Sequence, residues 1–173
     1  MKEQEKIFNM TIAAMFVAVT YLATRFVNVT LPLPAAGGLV HLGNVPVYVA
    51  AILFGKKVGS ISGAFGMAFF DLTSGWAIWA PFTFIILLIE GYTVGVIAGK
   101  KKSILNIGVA IMMAMLIKCA GYYIAEVILY HNFIIPLYSI LANVIQVAVA
   151  GSITLVLVPS LWKVSAVLQI QRQ

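Results

Sequence analysis

The chain has 173 residues, of which 62% are hydrophobic and 9% charged, and its mean hydropathy is +1.06. In a water-soluble domain about a quarter of the residues are charged, so this composition excludes a soluble fold and makes lipid the solvent for most of the surface. The net charge of +6 does not indicate a nucleic-acid groove, because the basic residues lie between apolar runs instead of clustering with polar and aromatic side chains.

Six apolar segments follow one another along the chain. The first, residues 7–29, is long enough to cross a bilayer and is expected to be a retained helix that stops before Pro32 and Pro34. Residues 31–44 are rich in Pro and Gly and predict a loop. The other helices are predicted at residues 45–54, 58–72, 77–98, 104–129 and 134–158, the last ending before Pro159. The sequence therefore predicts an all-α integral membrane protein, a bundle of six transmembrane helices that forms a single domain over residues 1–173.

The basic residues predict the orientation of this bundle. Apart from Arg25 and Lys118, which fall within predicted helices, they lie at the two ends of the chain and in alternate connections: Lys2, Lys6, Lys56, Lys57, Lys100, Lys101, Lys102, Lys163 and Arg172. The opposite connections, residues 29–44, 71–76 and 130–133, contain neither Lys nor Arg. By the positive-inside rule, both termini are expected to be cytoplasmic (N-in/C-in), with the chain in the cell membrane.

Polar side chains within the predicted helices are the candidates for function, because ionisable groups in the hydrocarbon region are costly unless they are paired or hydrated. Lys118, Tyr122 and Glu126 share one face of the fifth helix at i, i+4 and i+8. Counted at about 1.5 Å per residue, they lie in the outer half of the membrane, which predicts a polar pocket roofed by the 31–44 loop. The predicted substrate-binding residues are His41, Asn44, Asp71, Trp76, Trp79, Lys118, Tyr122, Glu126, Asn143 and Gln146.

Structural roles are the alternative for several of these residues. Trp76 and Trp79 would then be anchors at the membrane interface. Lys118 would pair with an acid, Glu90 or Glu126, to hold the bundle together. Both interpretations stay open at the level of the sequence.

The sequence lacks the short motifs of the common catalytic sites, since it contains no HExxH, GxSxG, CxxC or Walker motif. We therefore expect no enzymatic activity, no metal and no cofactor, and any ATPase that energises transport would be another protein. A membrane-embedded enzyme using Glu90, Lys118 and Glu126 would instead turn over a substrate as the purified chain alone. A proton-coupled carrier with Glu90 as its relay would transport without ATPase partners.

Two segments carry a resemblance to a known family. The first helix contains TIAAMFVAVTYLATR, with Ala14 and Ala18 four residues apart, a spacing of small residues that lets another helix approach closely. The second segment is the run at residues 39–99, which begins LVHLGNVPVYVAAILFGKKVGS. Together they resemble the substrate-binding S component of an energy-coupling factor (ECF) vitamin transporter, and the resemblance extends over nearly the whole chain in size and layout.

The resemblance implies a protein that binds a small water-soluble vitamin on the outer side. It would then dock, through Ala14 and Ala18, on a transmembrane T protein that carries two ATPase subunits. Within the family, the run at 39–99 is most similar to the branch assigned to riboflavin, pyridoxine or the hydroxymethylpyrimidine half of thiamin. The polar groups of the pocket favour a small ring such as pyridoxine or hydroxymethylpyrimidine, riboflavin is the main alternative, and Asp71 beside Trp76 also leaves cationic thiamin open.

The predicted topology has a direct test. Reporter fusions after Lys57, Lys102 and Gln173 should report a cytoplasmic location, and a fusion after His131 should report an external one, because only the former connections are basic. A cytoplasmic signal after His131 would contradict the six-helix topology.

Overall fold

Helices make up most of the described part of the chain. The computed structural model describes residues 2–32, 38–99 and 103–170. Within these ranges it has the helices α1 (Lys2–Phe26), α2 (Asn44–Phe54), α3 (Lys56–Thr73), α4 (Ala80–Ala98), α5 (Ile104–Tyr130) and α6 (Pro136–Ile170), with a single 3-10 turn at Ala77–Trp79 before α4. Each of the six predicted segments corresponds to one of these helices. The middle of the predicted loop, the lysines at 100–102 and Arg172 lie outside the described residues.

Four segments in the described ranges are long and apolar enough to cross a membrane: Glu3–Phe26, Ala77–Ala98, Ile104–Tyr130 and Pro136–Trp162. Helix α2 is apolar but has only 11 residues, which at about 1.5 Å per residue is roughly half of the hydrocarbon thickness. The chain is therefore an all-helical, multi-pass membrane protein.

The first helix ends earlier than predicted, and part of the predicted loop is ordered as a hairpin. The side-chain amide of Asn28 donates to the carbonyl oxygens of Thr24 (3.0 Å) and Arg25 (2.7 Å), which caps α1 after Phe26. Two antiparallel strands follow, β1 (Asn28–Thr30) and β2 (Leu39–His41), with Asn28 opposite His41. The predicted end at residue 29 was therefore wrong, because a local side-chain cap stops the helix before the prolines do.

The predicted end of the last helix was also wrong. Helix α6 continues through Pro159 to Ile170, although a proline removes one backbone hydrogen bond and crowds the preceding turn. Beyond the proline, Leu161 and Trp162 pack against the hydrophobic core. This packing offsets the local cost of the proline and keeps the helix continuous.

Helix α2 forms the centre of the bundle, packed among α1, α3, α4 and α6. Val47, Tyr48, Ala50 and Ala51 have no exposed surface. An apolar helix that is surrounded by other helices needs no polar face, which explains why its 11 residues are almost uniformly apolar.

Helices α3 and α4 approach closely at facing glycines. A Cβ atom on Gly91 would lie 2.5 Å from the carbonyl oxygen of Gly59 on the neighbouring helix, a separation that real Cβ atoms do not adopt. Helices within a membrane associate through close packing because lipid provides no hydrophobic drive between them. The glycines of α3, at positions 59, 63 and 66, thus favour close contact, and Gly59 lets α3 meet α4.

We expect Gly91→Ala to destabilise the folded protein by about 1–3 kcal/mol, because the added methyl group meets backbone that cannot move away. The matched control is Gly108→Ala on α5, where a Cβ atom would have nothing within 4 Å and where alanine favours the helix. Thermal unfolding in detergent compares the two variants. Equal melting temperatures would show that the α3–α4 contact tolerates a side chain.

Candidate functional site

A cavity lined by polar and aromatic side chains lies among β2, α3, the 3-10 turn, α4, α5 and α6. Its walls are formed by Leu39, His41, Phe70, Asp71, Trp76, Trp79, Thr83, Lys118, Tyr122, Glu126, Asn143 and Gln146. Every residue that the sequence predicted for substrate binding, except Asn44, lines this cavity. The structure therefore brings the predicted side chains together from separate parts of the chain. Their role in binding stays a prediction.

Lys118 is the basic residue of the cavity and is only 1% exposed. Its Nζ donates to the Oδ1 of Asn44 at 3.1 Å and lies 5.2 Å from the centre of the Tyr122 ring, one helical turn further along α5. A buried ammonium group is stabilised by such acceptors and by the face of an aromatic ring.

Asn44 lies behind the cavity wall, at the start of α2, so the structure does not place it among the lining residues. Its Nδ2 donates to Glu90 Oε1 at 2.7 Å and to the Tyr48 hydroxyl at 2.8 Å, and Tyr48 in turn donates to the same Glu90 oxygen. Lys118 and Glu90 are thus joined through the amide of Asn44. Glu90 was one of the two acids considered as a structural partner of Lys118. It interacts with Lys118 through the Asn44 amide and not through a direct ion pair in the structure.

Glu126, the other acid, has a different partner. Its Oε2 accepts a hydrogen bond from Ser139 Oγ at 2.7 Å, which ties α5 to α6 at the cavity wall. Asn143, one turn further along α6, donates its Nδ2 to the Ser139 carbonyl oxygen at 3.0 Å. The acid and the amide therefore face the cavity with part of their hydrogen-bonding capacity already used.

His41 ends β2 and contributes a neutral ring to the cavity. Burial, and to a smaller degree the charge of Lys118, lower the pKa of His41 to about 3, so the ring carries no charge near pH 7. Its Nδ1 accepts the backbone N–H of Gly43 at 3.2 Å. The proton of the neutral ring therefore lies on Nε2.

That proton fixes the orientation of Gln146. With its Oε1 towards His41, the amide accepts from His41 Nε2 (3.3 Å) and from Lys118 Nζ (3.2 Å), and its Nε2 donates to the Leu39 carbonyl oxygen (3.1 Å). The opposite orientation gives a 2.9 Å bond to Asn44 Oδ1 but sets the Gln146 amide nitrogen against the N–H of His41. In the first orientation Gln146 Oε1 lies 2.9 Å from Asn44 Oδ1, and the Lys118 ammonium group donates to both oxygens and offsets their repulsion, so we assign Gln146 as its second acceptor.

Asp71 lines the cavity and carries a carboxyl group that is only partly hydrogen-bonded. It lies in the last turn of α3 and is 8% exposed, and its Oδ2 has no hydrogen-bond partner. Thr83 lies within hydrogen-bonding reach of the carboxyl group, and its Oγ1 is also 3.1 Å from the Tyr122 hydroxyl. Since a buried polar atom without a partner is costly, this carboxyl group has hydrogen-bonding capacity that a donor could use.

Aromatic rings form the rim and one wall of the cavity. Trp79 is 7% exposed, with its ring centre 6.4 Å from that of Tyr122 and 6.1 Å from that of Tyr130. It is buried inside the protein, which does not fit the anchor role considered above, whereas Trp76 is half-buried at the rim. Flat rings beside a few fixed polar groups suit a heteroaromatic ligand.

Three lining residues were not predicted: Leu39, Phe70 and Thr83. Thr83 is a polar residue in an apolar helix, so its type was a usable signal. Leu39 and Phe70 are apolar residues among many others, and their sequence context does not distinguish them from core or lipid-facing positions. Among the residues that the structure describes, no group of three or more His, Cys, Asp and Glu side chains could hold a metal ion.

Ala14 and Ala18 lie on the exposed surface of α1, away from the cavity lining. Further along the same helix, the Tyr21 hydroxyl is 3.1 Å from Thr73 Oγ1, and Arg25 donates to Ser74 Oγ at 3.0 Å. Helix α1 thus contacts the cavity end of α3 through its last turns and leaves its small-residue strip uncovered.

Comparison with known proteins gives consistent matches over this fold. A sequence model of the family described as ECF-type riboflavin transporter, S component, matches residues 4–163. The chain is 29% identical over 158 residues to the thiamine precursor transporter HmpT of Lactococcus lactis subsp. cremoris (strain MG1363). This alignment covers 91% of this chain and 89% of that protein. It is also 30% identical over 102 residues to a protein of Pyrococcus woesei described as an uncharacterized protein in gap 3'region. This alignment covers 59% of this chain and 68% of that protein.

Proposed function

Because this chain belongs to the family of ECF-type riboflavin transporter S components, we propose that its cavity captures a small vitamin ring, hydroxymethylpyrimidine or pyridoxine, on the outer side of the cell membrane. The members of this family are transporter components, so the chain is not an enzyme. The cavity supplies binding and selectivity, and no reaction takes place in it.

The observation that carries the choice of ligand is the unpartnered Oδ2 of Asp71 in a cavity that also holds Lys118. The carboxylate oxygen requires a donor from the ligand, and Lys118 supplies a donor for a ring nitrogen or a hydroxyl oxygen. Hydroxymethylpyrimidine has an amino group, two ring nitrogens and a hydroxyl, and therefore meets both requirements with one small ring. The similarity to a protein named a thiamine precursor transporter supports hydroxymethylpyrimidine ahead of pyridoxine.

Riboflavin is the second candidate, and the description of the matching family favours it. Its polar ring edge carries one N–H between two carbonyl oxygens. The N–H can donate to Asp71, but the two flanking oxygens then lie beside the carboxylate and weaken that contact by repulsion, whereas an amino group offers two N–H donors. The geometry therefore supports the aminopyrimidine ahead of riboflavin.

We further propose that the whole chain, residues 1–173, is one six-span domain with both termini in the cytoplasm. Lys6, Lys56 and Lys57 support this orientation through the positive-inside rule. The short α2 is compatible with it because the surrounding helices, and not lipid, cover its backbone. Transport would require a T protein and two ATPase subunits, since the sequence contains no Walker motif.

The binding proposal is tested by mass spectrometry of ligand retained during purification and by calorimetry with the retained compound. Lys118→Ala should weaken binding by about 1–3 kcal/mol, because a buried ligand group loses its donor, and Asp71→Asn should weaken an amino-group ligand similarly. Lys57→Ala, which removes a charge from the exposed start of α3, should bind as the original protein does. Retention of a flavin would favour the riboflavin alternative, and unchanged affinity of Lys118→Ala would make Lys118 a structural residue.

The docking proposal concerns Ala14 and Ala18, which are exposed one turn apart on α1. Replacing both with Trp should abolish copurification with the T protein and the ATPases, because bulky side chains hold a partner helix away. Vitamin binding by the isolated protein should persist, since neither alanine lines the cavity.

The matched control places tryptophans at Val109 and Met113, which are exposed with the same spacing on α5. This control should still assemble. Normal copurification and uptake by the Ala14 and Ala18 double variant would show that this strip is not the docking surface.

A further inference from the structure

We propose that Asn44 is a positioning residue for the ligand: its amide separates Lys118 from Glu90 and thereby keeps the Lys118 ammonium group in the cavity. This inference rests on the proposed vitamin-binding function and concerns a residue that does not line the site. It also assigns a purpose to Glu90, a fully buried acid that lies outside the cavity lining.

The three side chains form a linear hydrogen-bonded chain. Lys118 Nζ lies 3.1 Å from Asn44 Oδ1, and Asn44 Nδ2 lies 2.7 Å from Glu90 Oε1. The carboxamide is suited to this place because it offers an acceptor to the ammonium group and a donor to the carboxylate at once. All three side chains are at most 1% exposed, so water cannot take over these roles.

Glu90 is held firmly in its position, which fixes the other end of this chain. Its Oε1 accepts from Tyr48 as well as from Asn44, and both donors belong to α2, the central helix. The Lys118 ammonium group, by contrast, is at the end of a flexible four-carbon stem. If the spacer were removed, the mobile partner would be the lysine.

The direction of that movement follows from the surroundings. Opposite charges attract strongly where water is excluded, and Glu90 Oε2 has no hydrogen-bond partner. Lys118 would therefore move towards Glu90, form a direct ion pair and leave the cavity. A ligand that depends on its N–H groups would lose them, although the lysine itself is still present.

The test is a double-mutant cycle on the full chain in detergent, with hydroxymethylpyrimidine, pyridoxine and riboflavin each titrated by calorimetry. For whichever compound binds, Asn44→Ala should weaken binding by about 10-fold to 100-fold, similar to the loss of a hydrogen bond to a charged group. Adding Glu90→Gln to Asn44→Ala should restore most of the affinity, because the attraction that withdraws Lys118 is gone. If Asn44 only stabilises the fold, the second substitution will not restore binding, and the inference is then overturned.

Two further variants keep the test decisive. Glu90→Gln alone can keep its hydrogen bonds with Tyr48 and Asn44, so its affinity for the vitamin should stay within about threefold of that of the original protein. A loss of about 10-fold to 100-fold in this variant would overturn the spacer role. This variant decides the question even if Asn44→Ala does not fold. In a Lys118→Ala background, Asn44→Ala should have no additional effect on affinity. An additional effect there would mean that Asn44 acts by another route.

Failure of this inference can be distinguished from failure of the proposed function. If Lys118→Ala weakens binding but Glu90→Gln does not rescue Asn44→Ala, only the spacer role is wrong. If none of the three vitamins binds the original protein, the proposed function fails and the spacer role is overturned with it. If a vitamin binds but Lys118→Ala is silent, Lys118 is a structural residue, and the spacer role is overturned without the binding function.

Discussion

The buried charge of Lys118 is the constraint on which the arrangement of the site depends. An ammonium group in an apolar interior must have its N–H groups satisfied and its charge balanced, and Lys118 is almost completely enclosed. Its acceptors come from α2 and α6, and the ring beside it belongs to α5. Satisfying this one group therefore sets the relative positions of three helices around the cavity.

On the cavity side, the hydrogen-bonding groups around Lys118 are not all paired with one another. This property suits the proposed role of the cavity in binding. The opposite charge of Glu90 is near but separated by an amide, and Asp71 has an oxygen without a partner. A structural ion pair would consume donor and acceptor together. Here a donor and an acceptor are held apart in the same enclosed space, so a ligand with complementary groups gains both interactions on entry.

The sequence was sufficient for the helices and for most of the cavity lining, for a common physical reason. Apolar runs of membrane length are strong signals, and a polar side chain within such a run has few places to go except a shared interior. Asn44 shows the limit of this reasoning. As a polar residue it was predicted to line the cavity, but it lies behind Lys118 because of the way α2 packs among the other helices. The end of α6 was similarly decided by tertiary packing, since Leu161 and Trp162 reach the core beyond Pro159.

Small residues have two different uses in this fold. Between α3 and α4 they are covered, and Gly59 and Gly91 allow the two backbones to meet. On α1, Ala14 and Ala18 are exposed although Ala13 is buried, and 17% of the most apolar 18 residues of Glu3–Phe26 are buried, compared with 44% of those of Ala77–Ala98. Because close packing is the main source of helix association in lipid, we propose Ala14 and Ala18 as the positions at which another helix approaches α1. The two proposed roles thus use different parts of the molecule, since neither Ala14 nor Ala18 lines the cavity, and a substitution in one part can be tested for its effect on the other.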